Sequence, residues 1–280
     1  MGFVNTAAVA LLAEVFIDEK LRGMYMGIFN AAMAGVGAVM SYCAGILAIR
    51  SWESVYKIYW ASVPILILFI LFLPKTDSVA ESNDTAAEAK HEKLSGHYWI
   101  FVLSLFVFVI SYMVLSYMVS IYISENNLGD ATLAGLCTSL STICSAIFCA
   151  VFGFSYSKLK RWVIVPSWAI MAIFYILMVA FPSKPTVILA STLMGDAFGN
   201  GFSYYYTDGT IIVPESRITL SVGIITALQG LAMGLATYFA TFLMHVLKTE
   251  RITPTFKILG IIEIIGTVYA ITAALRSKKS

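Results

Sequence analysis

Charge is what this sequence lacks most. Only 12% of its 280 residues are Asp, Glu, Lys or Arg, against about 25% in a soluble domain. That excludes a water-soluble globular protein. The formal net charge is +2, and the charges sit in short loops, so no basic surface for nucleic acid is implied. Cysteine is scarce too. The four residues Cys43, Cys137, Cys144 and Cys149 lie inside apolar blocks without a histidine at metal-site spacing. They read as small core residues, not as a disulfide framework or zinc site. No nucleotide-binding loop, zinc pair or Ser/His/Asp constellation is present. The sequence therefore points away from an enzyme and calls for no cofactor and no metal. Met1–Phe16 is apolar but has neither a basic start nor a small-residue cleavage site, so no signal peptide is read there.

Hydrophobic residues make up 59% of the chain. They come in unbroken runs, which favours membrane-spanning helices over an alternating β-barrel pattern. A span needs about 20 mostly apolar residues. Eight blocks qualify: Tyr25–Ile49, Tyr56–Leu73, Tyr98–Ile123, Ala131–Phe154, Trp162–Phe181, Thr186–Tyr206, Thr219–Val246 and Phe256–Leu275. Met1–Phe16 is a shorter, partial one. The expected fold class is thus an all-α membrane protein. Between the second and third blocks, Lys75–His97 is polar and mixed in charge, as a flexible linker is.

Lys and Arg set the orientation. One set of alternate loops holds Lys20, Arg22, Lys75, Lys90, Lys93, Lys158, Lys160, Arg161, Arg217, Arg276, Lys278 and Lys279. The other holds only Arg50, Lys57, Lys184, Lys248, Arg251 and Lys257. The richer set faces the cytoplasm, which puts the linker and the C-terminus inside, in the inner membrane of a bacterial cell. The first block then starts outside and in mid-helix, so upstream helices are expected to be missing from this chain.

Two stretches read as weak copies of each other. Phe3 and Asn5 recur as Phe198 and Asn200, and Arg22 as Arg217. After a one-residue shift Gly27-Ile28 recurs as Gly223-Ile224, Ala31 as Ala227, and Tyr42 as Tyr238. A parallel repeat inside a membrane chain is a transporter device.

A helix, a basic loop with Arg and a Gly-rich helix, occurring twice around a long central loop, resembles the major facilitator superfamily. The resemblance implies two six-helix halves. Residues 1–74 then resemble helices 4–6, residues 75–97 the central cytoplasmic linker, and residues 98–280 helices 7–12, with roughly the first three helices lacking. Gly153 and the basic cluster Lys158, Lys160 and Arg161 match the family's loop after helix 8, without its acidic residue. Gly35, Gly37 and Gly45 lack the proline of the antiporter signature.

Block Thr186–Tyr206 carries the chemistry best. Thr192, Asp196, Asn200, Ser203 and Thr207 share one helical face. An ionisable group in mid-membrane is costly unless it faces a cavity or a partner. Asp196 is therefore the candidate coupling or substrate-binding carboxylate, with Asn200 beside it and no second intramembrane Asp to pair with. Tyr112 and Ser116, with Tyr117 flanking, suit an amphipathic or hydroxylated solute. Gln229 and its symmetry counterpart Asn30 are the amides that could face a cavity. Thr138, Ser141, Thr142, Ser145 and Cys149 form a further polar stripe, read as helix packing. Tyr204, Tyr205 and Tyr206 read as an interfacial aromatic belt. Glu263 is a mid-membrane acid without an assigned role.

The expected function is secondary active transport of a small solute by alternating access, coupled to a proton or another ion. The chain would act as a symporter or antiporter, as in a drug or metabolite permease. The alternative is a truncated, non-transporting membrane fragment or scaffold. The expected partners are the solute, the coupling ion and the lipid bilayer, with no nucleic acid.

Overall fold

The computed structural model describes residues 21, 23–29, 31–33, 35–36, 60, 63–64 and 95–277. The chain divides into two compact units, Met1–Ala31 with Leu94–Ser280, and Ala32–Lys93. Six long helices dominate the first unit: α1 (Gly96–Glu125), α2 (Ala131–Leu159), α3 (Ile164–Ala180), α4 (Lys184–Ile211), α5 (Ile218–Val246) and α6 (Thr253–Ser277). Each overlaps one of the last six apolar blocks. No strand occurs among the described residues.

Four stretches are long and apolar enough to cross a membrane: Gly96–Glu125, Thr132–Ala180, Glu215–Val246 and Thr253–Leu275. That is fewer than the eight blocks read from hydropathy, for three reasons. The single stretch Thr132–Ala180 holds both α2 and α3, joined by the 3-10 turn Lys160–Val163. The helix α4 falls short because Asp196, Asn200, Ser203 and Asp208 dilute its apolar content. The blocks before residue 95 lie almost wholly outside the described residues.

Local chemistry starts the helices where they start. Ser95, Asp130 and Ser183 each accept a backbone N–H of the helix that follows, satisfying donors that a first turn leaves unpaired. Bonds from the Leu133 and Thr132 N–H groups hold the Asp130 carboxyl below its ordinary range. That cap is intact while the carboxyl is ionised and weakens as pH falls through the lowered pKa. The N-terminus of α6 is capped from a distance. Glu125, at the end of α1, accepts the Ile252 N–H at 2.6 Å and the Thr253 hydroxyl at 2.7 Å, and pairs with Arg251 at 3.2 Å.

The principal packing pairs are α2 with α4, α3 with α6, α1 with α5 and α3 with α4. Hydrocarbon gives helices little hydrophobic reason to associate, so close backbone approach and polar bonds do the work. Gly195 and Gly199 set the α4 backbone directly against the Ser141 and Ser145 carbonyls of α2. Gly201 gives room to the Phe108 ring of α1. Tyrosine hydroxyls then tie neighbours: Tyr122 donates to the Met178 carbonyl and Tyr175 to the Ser111 carbonyl, both at 2.6 Å. The helical residues 23–29 also lie on α2, where Gly27 meets the Cys149 carbonyl and Gly153 meets the Met24 backbone.

A Cβ at 195 would collide with backbone, not with a side chain that can turn away. Gly195→Ala should therefore cost about 1–3 kcal/mol, read as a lower unfolding temperature in detergent. Gly230 and Gly234 meet nothing within 4 Å. Gly230→Ala should be neutral or stabilising by up to about 1 kcal/mol, and equal effects at the two positions would contradict this packing.

Candidate functional site

Asp196 lies in the middle of α4 and is 8% exposed. Its Oδ1 accepts the Asn200 side-chain N–H at 2.6 Å, the one-turn contact their spacing implies. The Asn200 Oδ1 is buried without a hydrogen-bond partner. Because Gly195 brings α4 onto α2, Asp196 also comes beside Cys144, a neighbour the sequence did not single out. The polar stripe of α2 splits between two tasks. Ser141, Ser145 and Cys149 face α4, with the Cys149 thiol 3.4 Å from the Gly199 carbonyl. Thr138 and Thr142 bond carbonyls of their own helix.

Tyr112 joins this group from α1. Its hydroxyl is 2.9 Å from the Ser141 hydroxyl, and its ring stacks on Phe198 at 4.0 Å between centroids. Ser116 lines only a 10 Å³ crevice with Tyr112, Ser141 and Ser191, too small for a solute. Tyr117 is 46% exposed and stays outside the cluster. Gln229 is held elsewhere. It accepts the Tyr206 hydroxyl at 2.8 Å, while Thr226 lies 3.1 Å from the same hydroxyl. Tyr206 is about 15 Å along the helix from Asp196, and the rings of Phe198, Phe202 and Tyr206 bridge that distance. Asn30 lies outside the described residues. The structure therefore pairs Asp196 with Asn200, sets Tyr112 against Ser141 and Phe198 on the same helix interface, and leaves Tyr117 and Gln229 apart.

Two readings of the sequence need correction. The first concerns α4, which does not end near Tyr206 but continues to Ile211 and buries a second acid, Asp208. Arg161 Nε pairs with its Oδ1 at 3.1 Å, the Tyr156 hydroxyl donates to the same oxygen at 3.3 Å, and the Tyr204 hydroxyl donates to Oδ2 at 3.2 Å. The second concerns the three tyrosines, which are not an interfacial belt. All are buried, and Tyr205 shares a hydrogen bond of 3.0 Å with Ser104. Asp208 was hidden because Tyr156 and Arg161 reach it from α2 and from the turn before α3, far away in sequence.

Asp208, Arg161 and Tyr204 line a 480 Å³ cavity between α1, α3, α4 and α6, together with Trp168, Tyr205 and Tyr269. Asp196 is not among the residues that line it.

Removing one member of a buried ion pair strands the other. Arg161→Ala should cost about 3–5 kcal/mol, since it leaves a buried carboxylate unpaired. Asp208→Asn should cost less, about 1–2 kcal/mol, because the partly exposed Arg161 side chain can turn to water. Thermal unfolding in detergent measures both, and equal losses would contradict this assignment of burial.

The sequence profile of the Major Facilitator Superfamily matches residues 1–207. No curated protein matches the chain. A profile match over most of the sequence, spanning helices and a buried acid in α4 lead to one assignment: the chain belongs to the Major Facilitator Superfamily, as an integral membrane transporter of that type.

Proposed function

We propose that this chain moves a small solute by secondary active transport, with Asp196 as its coupling carboxylate. The observation that carries the reading is the setting of Asp196. It lies mid-helix among apolar spans, bonded to a single amide and beside a thiol. A carboxyl so placed changes its energy greatly with its proton. It can therefore report whether a proton or a cationic group of the solute is bound. Asn200 orients the acid, and once alternating access opens the closed crevice beside Tyr112, Tyr112 with Phe198 offers an aromatic wall for an amphipathic or hydroxylated solute.

Alternating access supplies the mechanism. Two bundles rock about a mid-membrane site, on the division at residues 75–97. Energy comes from a proton or other ion gradient. The Lys and Arg distribution supports an inner-membrane protein whose basic loops, including Arg161, face the cytoplasm.

Reconstituted vesicles test this directly. A pH gradient should drive uptake or efflux of members of a solute panel, and Asp196→Asn should lower that flux about tenfold or more. Asn200→Asp should shift the pH dependence instead of abolishing flux. Full gradient-driven flux in Asp196→Asn would remove the coupling role.

A further inference from the structure

Glu263 plays no part in the site described so far. It lies near the middle of α6 at 0% exposure, and neither carboxyl oxygen has a hydrogen-bond partner. Ser111 Oγ on α1 is likewise buried without a partner in hydrogen-bonding geometry, and the buried Trp168 Nε1 on α3 has Tyr205 as its neighbour. The three belong to one neighbourhood. Ser111 faces Glu263, and the Trp168 ring lies against Gly266, one turn along α6.

The titratable groups within electrostatic reach of Glu263 are Tyr175 from α3 and Tyr205 from α4. The Tyr175 hydroxyl is committed to the Ser111 carbonyl. Among the described residues no Lys, Arg or His faces the acid. Lys257 is exposed and six residues away, a poor helical spacing for contact. A carboxylate with no cation and only the Ser111 hydroxyl facing it is not sustained in such a place, so the group holds a proton.

A cavity opens along the same helix. Trp168, Tyr205, Ser104 and Tyr269 line the 480 Å³ cavity, and Glu263 lies about two turns deeper along α6 than Tyr269. Tyr205 lines the cavity and lies within electrostatic reach of Glu263, and its hydroxyl bonds Ser104 at 3.0 Å.

We propose that Glu263 is a proton-binding site of this bundle, separate from Asp196, loaded from the cavity through the floor made by Trp168 and Tyr205. A proton from solvent in the cavity adds to the carboxylate and leaves a neutral acid, and it returns by the same floor on release. The site takes a proton and no larger ligand, because nothing but packed side chains surrounds the carboxyl. This inference does not rest on the role of Asp196.

Infrared difference spectroscopy of the full chain in lipid vesicles, transferred from H₂O to D₂O, tests it. The wild type should show the carbonyl stretch of a protonated carboxylic acid at neutral pH, shifting as the proton exchanges. Glu263→Gln should lose that band, and Glu263→Asp should move it, which guards against a Gln variant that fails to fold. Asp196→Asn should keep it. Tyr205→Phe should keep the band but slow its exchange about tenfold. A wild type without a band traceable to Glu263 overturns the proposal, as does exchange unaltered by Tyr205→Phe.

Discussion

The contact on which the other placements depend is the close approach of α2 and α4 at Gly195 and Gly199, where backbone meets the Ser141 and Ser145 carbonyls. In lipid, apolar side chains gain little by leaving hydrocarbon for a helix interface, so contact area and polar bonds decide which faces meet. Two glycines one turn apart make that face of α4 flat. Asp196 and Asn200, the residues that follow them, are thereby placed beside α2 instead of in lipid. The same contact brings Ser141 to the Tyr112 hydroxyl, and through Tyr112 the aromatic ladder of Phe198, Phe202 and Tyr206.

Burial in this bundle distinguishes three acids by their company. Asp208 has a guanidinium and two phenols and is compensated in place. Asp196 has one amide donor and a neighbouring thiol, an intermediate state that a proton or cation can tip. Among the described residues Glu263 has no cation beside it, and only the Ser111 hydroxyl faces it. The ordering follows from the cost of an uncompensated charge, and on the proposed reading it separates a structural acid from two that exchange a proton.

Much of the helical plan was legible in the sequence. Hydropathy found all six helices of the described bundle, and Tyr98–Ile123 differs from Gly96–Glu125 by only two residues at either end. The end of α4 was not legible, because Asp208 and Thr210 look like loop until one knows that they are buried. Helical spacing gave the Asp196–Asn200 pair, since one turn separates them. It could not give Cys144, Arg161 or Tyr156, which reach their partners only across helix interfaces. The reading of Tyr204–Tyr206 as a belt failed for the same reason: composition suits an interface or a buried hydroxyl network equally, and only the partners distinguish them.

Cys144 offers the most direct measurement on the central claim, because its thiol lies beside Asp196. With Cys43, Cys137 and Cys149 replaced by Ser, a membrane-impermeant thiol reagent would be applied to each side of sealed vesicles. A coupling site visited alternately from the two sides predicts modification from both, with transported solute altering the two rates in opposite directions. A Cys144 that reacts from neither side under any gradient would show Asp196 sealed in packing, and would contradict the account.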